Sequence, residues 1–341
     1  MTGFAVIGAG HWGPNIISNL DKMEGSRVHW VVESDSERRK QVTAHFGERI
    51  PSVSSLVDVL GDSRVDGVVI ATPTRTHYEL GRQALAAGKH VLMEKPLAAS
   101  SREAEELCRL ADEQGLVLMV GHVFIYNAAV IFIKRCLDEG LIGRPLRFDL
   151  ARTNLGPIRR DVGAHWDLMP HDLSMLRYWL DQEPTSVIAS GKAWLQPGIY
   201  DAVAAVLTFP NQVQAVIRAS WLSARKNRDI EIVGDRQMIF FDDNDPGEPI
   251  RIYDKGVEGL ADRPVGVVGS MSEFLESTRE GDITIPWVST GQPLAVECSH
   301  FADCIESGET PLTSGRDGLA VVRVLEAIDR SLESRQEEAI V

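Results

Sequence analysis

A glycine-rich loop near the N-terminus has the spacing of a dinucleotide-binding turn. Gly8, Gly10 and Gly13 form a G-x-G-x-x-G motif that follows a strand-like run and precedes a helix-like segment. The first glycine permits the tight turn, the second lets the backbone approach a pyrophosphate, and the third allows close packing of the helix. Amide groups at the start of that helix bind phosphate oxygens. His11 and Trp12 belong to the same predicted site, and glycines that merely serve a tight turn are the alternative.

An acidic residue follows at the distance that indicates which nicotinamide dinucleotide is bound. Glu33 ends the second strand-like run, 20 residues after Gly13. A carboxylate there bonds the adenosine ribose hydroxyls and repels a 2′-phosphate. NAD is therefore the expected cofactor, and NADP is disfavoured. Arg38 and Arg39 follow closely and could reach such a phosphate, but we expect them on the solvated face of the second helix.

The elements that must position this loop alternate between strands and helices over the first third of the chain. A helix after Pro96 has its own start signal, because Ser100-x-x-Glu103 matches a capping box. The alternation predicts an α/β Rossmann domain with a doubly wound parallel sheet. The strand-like runs are Phe4–Ile7, Val28–Val32, Val65–Ile70, His90–Met93 and Leu116–Val120.

From Pro145 onward strand-like runs follow one another with few helices, and helical periodicity returns between Ala295 and Leu332. This pattern predicts an α+β domain with an open, mainly antiparallel sheet. We expect a dinucleotide-binding domain over 1–122 and a substrate-binding and oligomerisation domain over 123–341, with terminal helices that can pack back on the first domain. The runs are Leu146–Thr153, Val203–Thr208, Val213–Ser220, Ile230–Val233 and Met238–Phe241.

Composition narrows the class of protein. The 341 residues carry 35 Lys and Arg against 49 Asp and Glu, a formal net charge of −14, which disfavours nucleic acid or an anionic membrane as partner. No signal peptide or long apolar run is evident, so we expect a cytoplasmic enzyme. The cysteines lack C-x-x-C spacing, and we predict neither a disulfide framework nor a metal site. They are Cys108, Cys136, Cys298 and Cys304.

Three further segments carry a family likeness. They are Ala71-Thr72-Pro73-Thr74-x-x-His77, Glu94-Lys95-Pro96 at the end of a longer run from Ala87, and Asp167-x-x-x-His171-Asp172. Behind a Rossmann loop, in this order, they resemble the Gfo/Idh/MocA family of glucose-fructose oxidoreductase and inositol dehydrogenase. The strings Gly121–Asn127 and Thr153–Val162 look like the branch that contains UDP-N-acetylglucosamine 3-dehydrogenases.

The resemblance implies a catalytic set of Lys95, Asp167 and His171, and their chemistry suits oxidation of a secondary alcohol. That reaction needs a group that takes the hydroxyl proton while hydride leaves the carbon. Burial beside the oxidised nicotinamide would lower the pKa of Lys95 from about 10.4, whereas His171 needs less tuning. We expect His171 as principal acid and base, with Lys95 as hydroxyl binder and second proton carrier. In a helix that includes Trp166, Asp167 shares a face with His171 and can orient it, with Pro170 in the first turn.

Other positions implied by the resemblance surround these groups. Thr72, Pro73, His77 and Glu94 correspond to positions that line the cofactor cleft, at the carboxyl ends of strands. His77 could instead cap its own helix, and Glu94 could pair with a neighbouring base. The predicted substrate contacts are Tyr126, Asn127, Arg152, Arg159, Arg160 and Asp172.

The basic residues suggest a phosphorylated substrate. Arg152, Arg159 and Arg160 precede the predicted catalytic helix in an otherwise acidic chain, and guanidinium groups hold phosphates bidentately. Together with the resemblance to the UDP-N-acetylglucosamine 3-dehydrogenase branch, which implies C3 as the carbon oxidised, this leads us to expect oxidation of a UDP-linked or other phosphorylated sugar at that carbon. Surface loops or interface salt bridges are the alternative, above all for a second cluster of Arg225, Lys226 and Arg228.

Other functions use the same residues. A free-sugar or cyclitol dehydrogenase and a secondary-metabolite ketoreductase need the same machinery, and a redox-cycling glycosidase or lyase would use the cofactor transiently. A dinucleotide-sensing regulator would explain the glycine loop but not Lys95, Asp167 and His171 together.

Alternation at Val203, Ala205 and Leu207 predicts a sheet face that helices leave uncovered, and the resemblance implies a homodimer or homotetramer through that sheet.

Overall fold

The computed structural model describes residues 1–257, 278–289 and 291–341. The described chain divides into two compact units. The first unit contains Met1–Tyr126 and Gln292–Glu326, and the second contains Asn127–Gly291 and Ala327–Val341. Residues 292–326, which the predicted domain limits assign to the second domain, thus group with the first unit.

The first unit is built on a six-stranded sheet in the order β3-β2-β1-β4-β5-β6, with every pair parallel. This is the strand order of a doubly wound Rossmann fold, in which the direction of winding reverses between β1 and β4 and ligands bind at the carboxyl ends of the strands. The strands are β1 (Thr2–Ile7), β2 (Ser26–Val32), β3 (Ser52–Val53), β4 (Gly67–Ile70), β5 (His90–Glu94) and β6 (Leu118–Gly121).

The central strands of this sheet are buried along their whole length because both faces are covered. All residues of β1 and of β4 are buried, as parallel sheets between two helix layers require. Helices and strands alternate as predicted, so the α/β Rossmann class is confirmed. The helices before the second unit are α1 (Gly13–Lys22), α2 (Ser36–Phe46), α3 (Val57–Leu60), α4 (His77–Ala86) and α5 (Ser101–Gln114).

The predicted capping box opens α5. The Ser100 hydroxyl accepts a hydrogen bond from the Glu103 amide at 3.3 Å, and the Glu103 carboxylate accepts one from the Ala99 amide at 3.2 Å. The first bond satisfies a backbone donor that the helix leaves free, and the second fixes the Ala99 amide just before the N-cap residue. Short 3₁₀ turns at Thr74–Thr76 and Val123–Tyr126 follow β4 and β6.

The second unit is built on a mixed, mainly antiparallel sheet whose described strands run in the order β14-β13-β12-β11-β7-β10-β9-β8-β15. The pair of β7 and β10 is parallel and the other described pairs are antiparallel. The strands are β7 (Pro145–Thr153), β8 (Ser186–Lys192), β9 (Ala202–Thr208), β10 (Gln214–Ser220), β11 (Asn227–Gly234), β12 (Met238–Asp242), β13 (Ile250–Val257), β14 (Thr278–Thr284) and β15 (Glu338–Ala339).

Helix α7 packs on β7, β9 and β10 and covers one face of this sheet. The ring of Trp179 on the helix stacks on Phe148 of β7 with 6.2 Å between centroids, and its indole N–H donates to the Val130 carbonyl at 3.0 Å. The remaining helices are α6 (Ala128–Asp138), α7 (Ala164–Leu180), α8 (Pro293–Ser307) and α9 (Gly315–Ser334).

The alternating residues of β9 lie on the covered face. Val203, Ala205 and Leu207 are almost fully buried, whereas Ala204 and, on the neighbouring strand, Ile188 are exposed. Helix α7 covers the face that carries Val203, Ala205 and Leu207, so these three residues do not belong to the exposed face of the sheet. The opposite face of the sheet carries the exposed side chains.

Candidate active site

The glycine loop joins β1 to α1, and its geometry requires glycine at two positions. Gly8 has a φ of +94°, and a Cβ atom there would lie 2.4 Å from the Ala71 carbonyl oxygen. A Cβ atom on Gly13 would lie 2.1 Å from the Gly8 carbonyl oxygen. Gly10 is different, since the nearest atom to its Cβ position is the Arg38 guanidinium at 3.8 Å. The backbone at Gly10 is therefore uncovered, as close approach of a pyrophosphate requires.

The start of α1 offers a backbone donor beside this loop. Trp12 is the N-cap residue, and no side chain caps the helix. Pro14 has no amide hydrogen and the Asn15 amide donates to the Trp12 carbonyl at 3.0 Å, so the Gly13 amide and the positive end of the helix dipole are what this helix start offers to an anion. His11 and Trp12 are both exposed next to them. The residues fit the phosphates of a dinucleotide.

Glu33 at the end of β2 is tied to the same loop. Its Oε2 accepts a hydrogen bond from the Ala9 amide at 2.8 Å and its Oε1 accepts one from the Asp35 amide at 2.9 Å, with only 6% of the residue exposed. The Arg38 guanidinium lies 3.9 Å from Glu33 Oε2. Arg39 donates to the Glu33 carbonyl at 2.7 Å. Both arginines thus reach the strand end and are not confined to the solvated helix face.

His77 joins the segments that follow β4 and β5. It is 1% exposed, with Nδ1 2.8 Å from the Pro96 carbonyl oxygen and Nε2 2.8 Å from the Thr72 carbonyl oxygen. The Thr72 hydroxyl accepts from the Thr76 hydroxyl at 2.8 Å, and Pro73 is exposed. His77 therefore joins the segments that follow β4 and β5 at the carboxyl edge of the sheet.

Lys95 follows β5, and its neighbour Glu94 has a carboxyl group with a raised pKa. The Lys95 amide donates to Glu94 Oε2 at 3.2 Å, and the Lys95–Pro96 peptide is cis. Burial raises the pKa of Glu94 to about 7, although the charge of Lys95 and a hydrogen bond from the Trp12 side chain act in the opposite direction. Trp12 thus links the glycine loop to the segment that carries Lys95.

A second carboxyl near Glu94 was not predicted from sequence. Glu297 in α8 is 1% exposed, and its Oε1 has no hydrogen-bond partner among the described residues. Burial, together with the nearby Glu94, raises its pKa well above the ordinary value. The only sequence signal was a charged residue within an otherwise apolar stretch of the predicted C-terminal helices.

Asp167 and His171 both lie in α7, which includes Trp166 as the shared-face argument required. Asp167 accepts hydrogen bonds from Arg159 Nη1 at 3.2 Å and from the indole of Trp221 at 3.1 Å. Trp221 was missed by the sequence analysis, since it lies 54 residues further along the chain. Asp167 is therefore held in place from two sides.

The reasoning about Pro170 was wrong in one respect. Because α7 begins at Ala164, Pro170 lies inside the helix and not in its first turn. Proline has no amide hydrogen, so Pro170 cannot donate to the carbonyl four residues earlier in the helix. A proline in the first turn would lose no such bond, because its amide would have no partner within the helix. Pro170 is buried, so this hydrogen bond is missing at a position where the side chain is packed.

Arg152 and Asp172 form a buried ion pair between β7 and α7. The guanidinium Nη2 and Nε lie 2.8 and 3.1 Å from Asp172 Oδ1, and the residues are 5% and 1% exposed. Burial raises the pKa of Asp172, and the charge of Arg152 opposes this shift. Both had been predicted to contact substrate. Their burial and mutual bonds join β7 to the helix that carries Asp167 and His171, and the substrate contact stays a prediction.

Two further predicted substrate contacts have structural partners. Tyr126 is buried in the first unit, where its hydroxyl lies 3.1 Å from the Thr313 hydroxyl. Asn127 is the N-cap of α6, and its side chain accepts from the Ala129 amide at 2.8 Å. Packing and capping therefore account for both side chains.

The remaining basic residues differ in exposure. Arg159 is bound by Asp161 and Asp167, and Arg228 by Asp243 at 3.0 Å. Arg160, Arg225 and Lys226 are exposed. These three cations are accessible to a phosphate, whereas Arg228 is largely neutralised by its partner.

The described ranges contain no cluster of three or more His, Cys, Asp or Glu side chains arranged to hold a metal ion. The four cysteines are buried and free. Within the same ranges, no helix combines the length and apolarity needed to cross a membrane.

The fold and the glycine loop define a nicotinamide-dinucleotide-binding oxidoreductase. Residues 2–122 match the oxidoreductase family with an NAD-binding Rossmann fold, and residues 130–240 match the Gfo/Idh/MocA C-terminal domain. The chain belongs to the Gfo/Idh/MocA family.

Characterised relatives span nearly the whole chain. The UDP-N-acetylglucosamine 3-dehydrogenase of Acidithiobacillus ferrooxidans is 29% identical over 94% of this chain and 93% of its own. The scyllo-inositol 2-dehydrogenase (NAD(+)) of Bacillus subtilis is 27% identical over 92% and 89%. The solved structure of the first of these enzymes, GnnA, superposes with a TM-score of 0.79 at 25% identity, covering 97% of this chain and 98% of that one.

Proposed function

We propose that this protein is an NAD-dependent sugar dehydrogenase that moves hydride between a secondary alcohol and the nicotinamide, at C3 of a UDP-linked sugar. The observation that carries the proposal is the glycine cradle with the buried Glu33 carboxylate bonded to it. The uncovered backbone at Gly10 suits a pyrophosphate, and the carboxylate suits ribose hydroxyls and disfavours a 2′-phosphate. The similarity to a UDP-N-acetylglucosamine 3-dehydrogenase supports the substrate class.

Each cofactor residue has a role in this proposal. The loop from Gly8 to Gly13, with His11 and Trp12, binds the pyrophosphate, and Glu33 binds the adenosine ribose. Thr72, Pro73 and Glu94, at the carboxyl ends of β4 and β5, contact the nicotinamide half. His77 acts indirectly, because it holds the two segments that carry these residues.

The chemistry is divided between the cofactor and three side chains. Bound NAD supplies the hydride acceptor. Lys95 donates a hydrogen bond to the reacting hydroxyl, and His171 takes its proton as hydride leaves the same carbon. Asp167 orients the imidazole, and its own position is set by Arg159 and Trp221. The Arg152–Asp172 pair supports the helix.

The exposed cations support a phosphorylated substrate. Arg160 lies next to Arg159 in the segment before α7, and its guanidinium is accessible. A bidentate contact with a diphosphate oxygen pair is within the chemistry of this group. Arg225 and Lys226, near the end of β10, are weaker candidates because their segment carries no catalytic residue.

The test is NADH formation by the purified protein with a substrate panel. UDP-N-acetylglucosamine is expected to reduce NAD, and free N-acetylglucosamine, glucose and myo-inositol are not. Lys95→Met and His171→Asn should abolish turnover without loss of NAD binding, while Lys40→Met, on the exposed side of α2, serves as the matched control. Reduction by free sugars alone would remove the nucleotide-sugar proposal.

A cyclitol dehydrogenase is the second candidate, favoured by the similarity to a scyllo-inositol 2-dehydrogenase. NADH formation with inositols but with no UDP-sugar would establish it. A redox-cycling lyase would release product without accumulating NADH, and a sensor would bind NAD without turnover. Cytoplasmic location and a homodimer or homotetramer stay predictions, and light scattering tests the second.

A further inference from the structure

The connection between β8 and β9, residues 193–201, is held together by a carboxylate at its end. Asp201 is fully buried, and its Oδ2 accepts hydrogen bonds from the Trp194 amide at 2.6 Å and from the Leu195 amide at 2.9 Å. The Asp201 amide donates to the Lys192 carbonyl at 2.9 Å. One buried residue thus joins the end of the connection to its beginning.

A tight turn lies within this connection. Pro197 and Gly198 occupy its central positions, the Ile199 amide donates to the Gln196 carbonyl at 3.2 Å, and Gly198 has a φ of +78°. Proline followed by glycine suits a turn whose third residue needs a positive φ. From the base of the turn, the Gln196 side chain donates to the Arg159 carbonyl at 2.8 Å. The turn therefore fixes the position from which Gln196 reaches the segment before α7.

The same connection bonds to two further elements of the second unit. The Tyr200 carbonyl accepts a hydrogen bond from the Ala164 amide at 2.8 Å, at the start of α7. The Asp201 carbonyl accepts one from the Trp221 amide at 3.0 Å, directly after β10. Trp221 is 1% exposed, and closely packed interiors transmit displacements, so a shift of the Asp201 backbone moves Trp221.

Arg159 and Trp221 both bond to the Asp167 carboxylate. Arg159 Nη1 lies 3.2 Å from Oδ1, and the Trp221 indole N–H donates to Oδ2 at 3.1 Å. The first of these partners is held by Gln196 and the second by Asp201. Because each carboxylate oxygen has its own partner, the orientation of Asp167 depends on the connection between β8 and β9.

We propose that Asp201 and Gln196 are positioning residues that fix the orientation of the Asp167 carboxylate. This rests on the proposed function, in which Asp167 orients the His171 imidazole. Each of the two acts through a hydrogen-bond partner of Asp167 and does not itself contact substrate. A displacement of about 1 Å at a catalytic group lowers turnover by as much as about a hundredfold. Loss of either residue should therefore lower kcat and leave NAD affinity, which belongs to the glycine loop, unchanged.

The first test measures kcat, KM and the Kd for NAD. Gln196→Ala removes one hydrogen bond to the Arg159 carbonyl and should lower kcat about two- to tenfold. Gln196→Glu keeps the length of the side chain but lacks the amide donor, so it should lower kcat at least as much. Gln214→Ala, an exposed amide at the opposite end of β10, is the matched control and should change no constant. An unchanged kcat in Gln196→Ala would overturn the role of Gln196.

A double replacement separates positioning from a general loss of structure. If Gln196 acts on Asp167 through Arg159, Gln196→Ala should lower kcat by less than about twofold once Arg159→Met is present. A merely structural role predicts the same factor in both backgrounds, and that result would also overturn the proposal.

The second test needs no substrate and follows the Trp221 indole N–H by nuclear magnetic resonance with isotope-labelled tryptophan. The signal is assigned by its loss in Trp221→Phe and should shift in Asp201→Ala. Asp201→Asn should restore it, because the amide oxygen can accept both bonds of Oδ2, and Oδ1 receives no hydrogen bond from the described residues.

Asp201→Ser, which keeps a shorter acceptor, is the second variant should Asp201→Ala not fold, and the same shift is expected. A Trp221 signal that stays at its parent position in the folded Ala or Ser variant would refute the role of Asp201. If no alcohol reduces NAD, the proposed function fails, and the resonance still decides whether Asp201 sets the position of Trp221.

Discussion

The buried pair of Arg152 and Asp172 yields the sharpest prediction about stability. Replacing Asp172 with Asn removes the negative charge but keeps the shape, which leaves the buried Arg152 guanidinium without the Asp172 charge. Breaking one partner of a buried ion pair costs about 3–5 kcal/mol. For a unit of the size of the second one, 1 kcal/mol corresponds to about 2–4 °C. We therefore expect the unfolding temperature to fall by roughly 6–20 °C.

A double replacement separates burial of charge from loss of contact. Arg152→Met combined with Asp172→Leu removes both charges, and such apolar replacements are often neutral or stabilising. The double variant should therefore recover most of the stability that Asp172→Asn loses. Glu183→Gln, which breaks the half-exposed pair with Arg177 at the end of the same helix, is the control and should cost about 1 kcal/mol or less.

Calorimetry and steady-state kinetics together decide between the two roles of the pair. If Arg152 and Asp172 anchor α7, the unfolding temperature falls in the single variants. At temperatures where a variant is still folded, its KM for substrate stays close to that of the parent protein. If Arg152→Met raised KM severely and left the unfolding temperature unchanged, the anchoring role would be refuted and a substrate contact restored.

Three further predictions concern the cofactor loop, the acidic residue before Lys95 and the support of Asp167. Glu33→Ala removes the carboxylate and leaves Arg38 beside the loop, so the preference for NAD over NADP should fall about tenfold, or ~1.4 kcal/mol; equal Kd ratios before and after would contradict the role of Glu33. Glu94 has a folded pKa of about 7 above its ordinary 4.5, so ionising it costs stability as pH rises between these values. Glu94→Gln should flatten that decline in a pH series of unfolding temperatures, and an unaltered series would count against the raised pKa of Glu94. Trp221→Phe removes an indole hydrogen bond to Asp167, worth about 0.5–1.5 kcal/mol, and should lower kcat roughly two- to tenfold without changing NAD affinity; unchanged kcat would show that Asp167 does not depend on it.

Local patterns predict the elements of the first unit well because each signal is contained in a short segment. The apolar runs of β1 and β4 and the glycine loop depend on neighbours within a few residues. The start of β4 moves from Val65 to Gly67, and β3, with only Ser52 and Val53, is too short to carry a pattern. In the second unit, β8 is rich in small and polar residues, so its sequence hides a strand that pairs with β9 and β15.

The site was less predictable because its contacts join distant parts of the chain. Arg152 pairs with Asp172, Asp167 is held by Trp221, and the charge of Glu94 acts on Glu297, although no spacing in the sequence links these residues. A run of basic residues indicates a phosphate site only while the cations remain unpaired. The pairing depends on the packing of α7 against β7, which the sequence pattern does not contain.

Transfer of the sugar hydrogen to NAD is the most direct test of the central claim. UDP-N-acetylglucosamine labelled with deuterium at C3 is incubated with NAD and the protein, and the reduced cofactor is analysed by mass spectrometry. We predict reduced cofactor that carries one deuterium, formed by the parent protein and not by the Lys95→Met variant. Reduced cofactor without deuterium, or a C3 label that stays on the sugar throughout, would contradict the account.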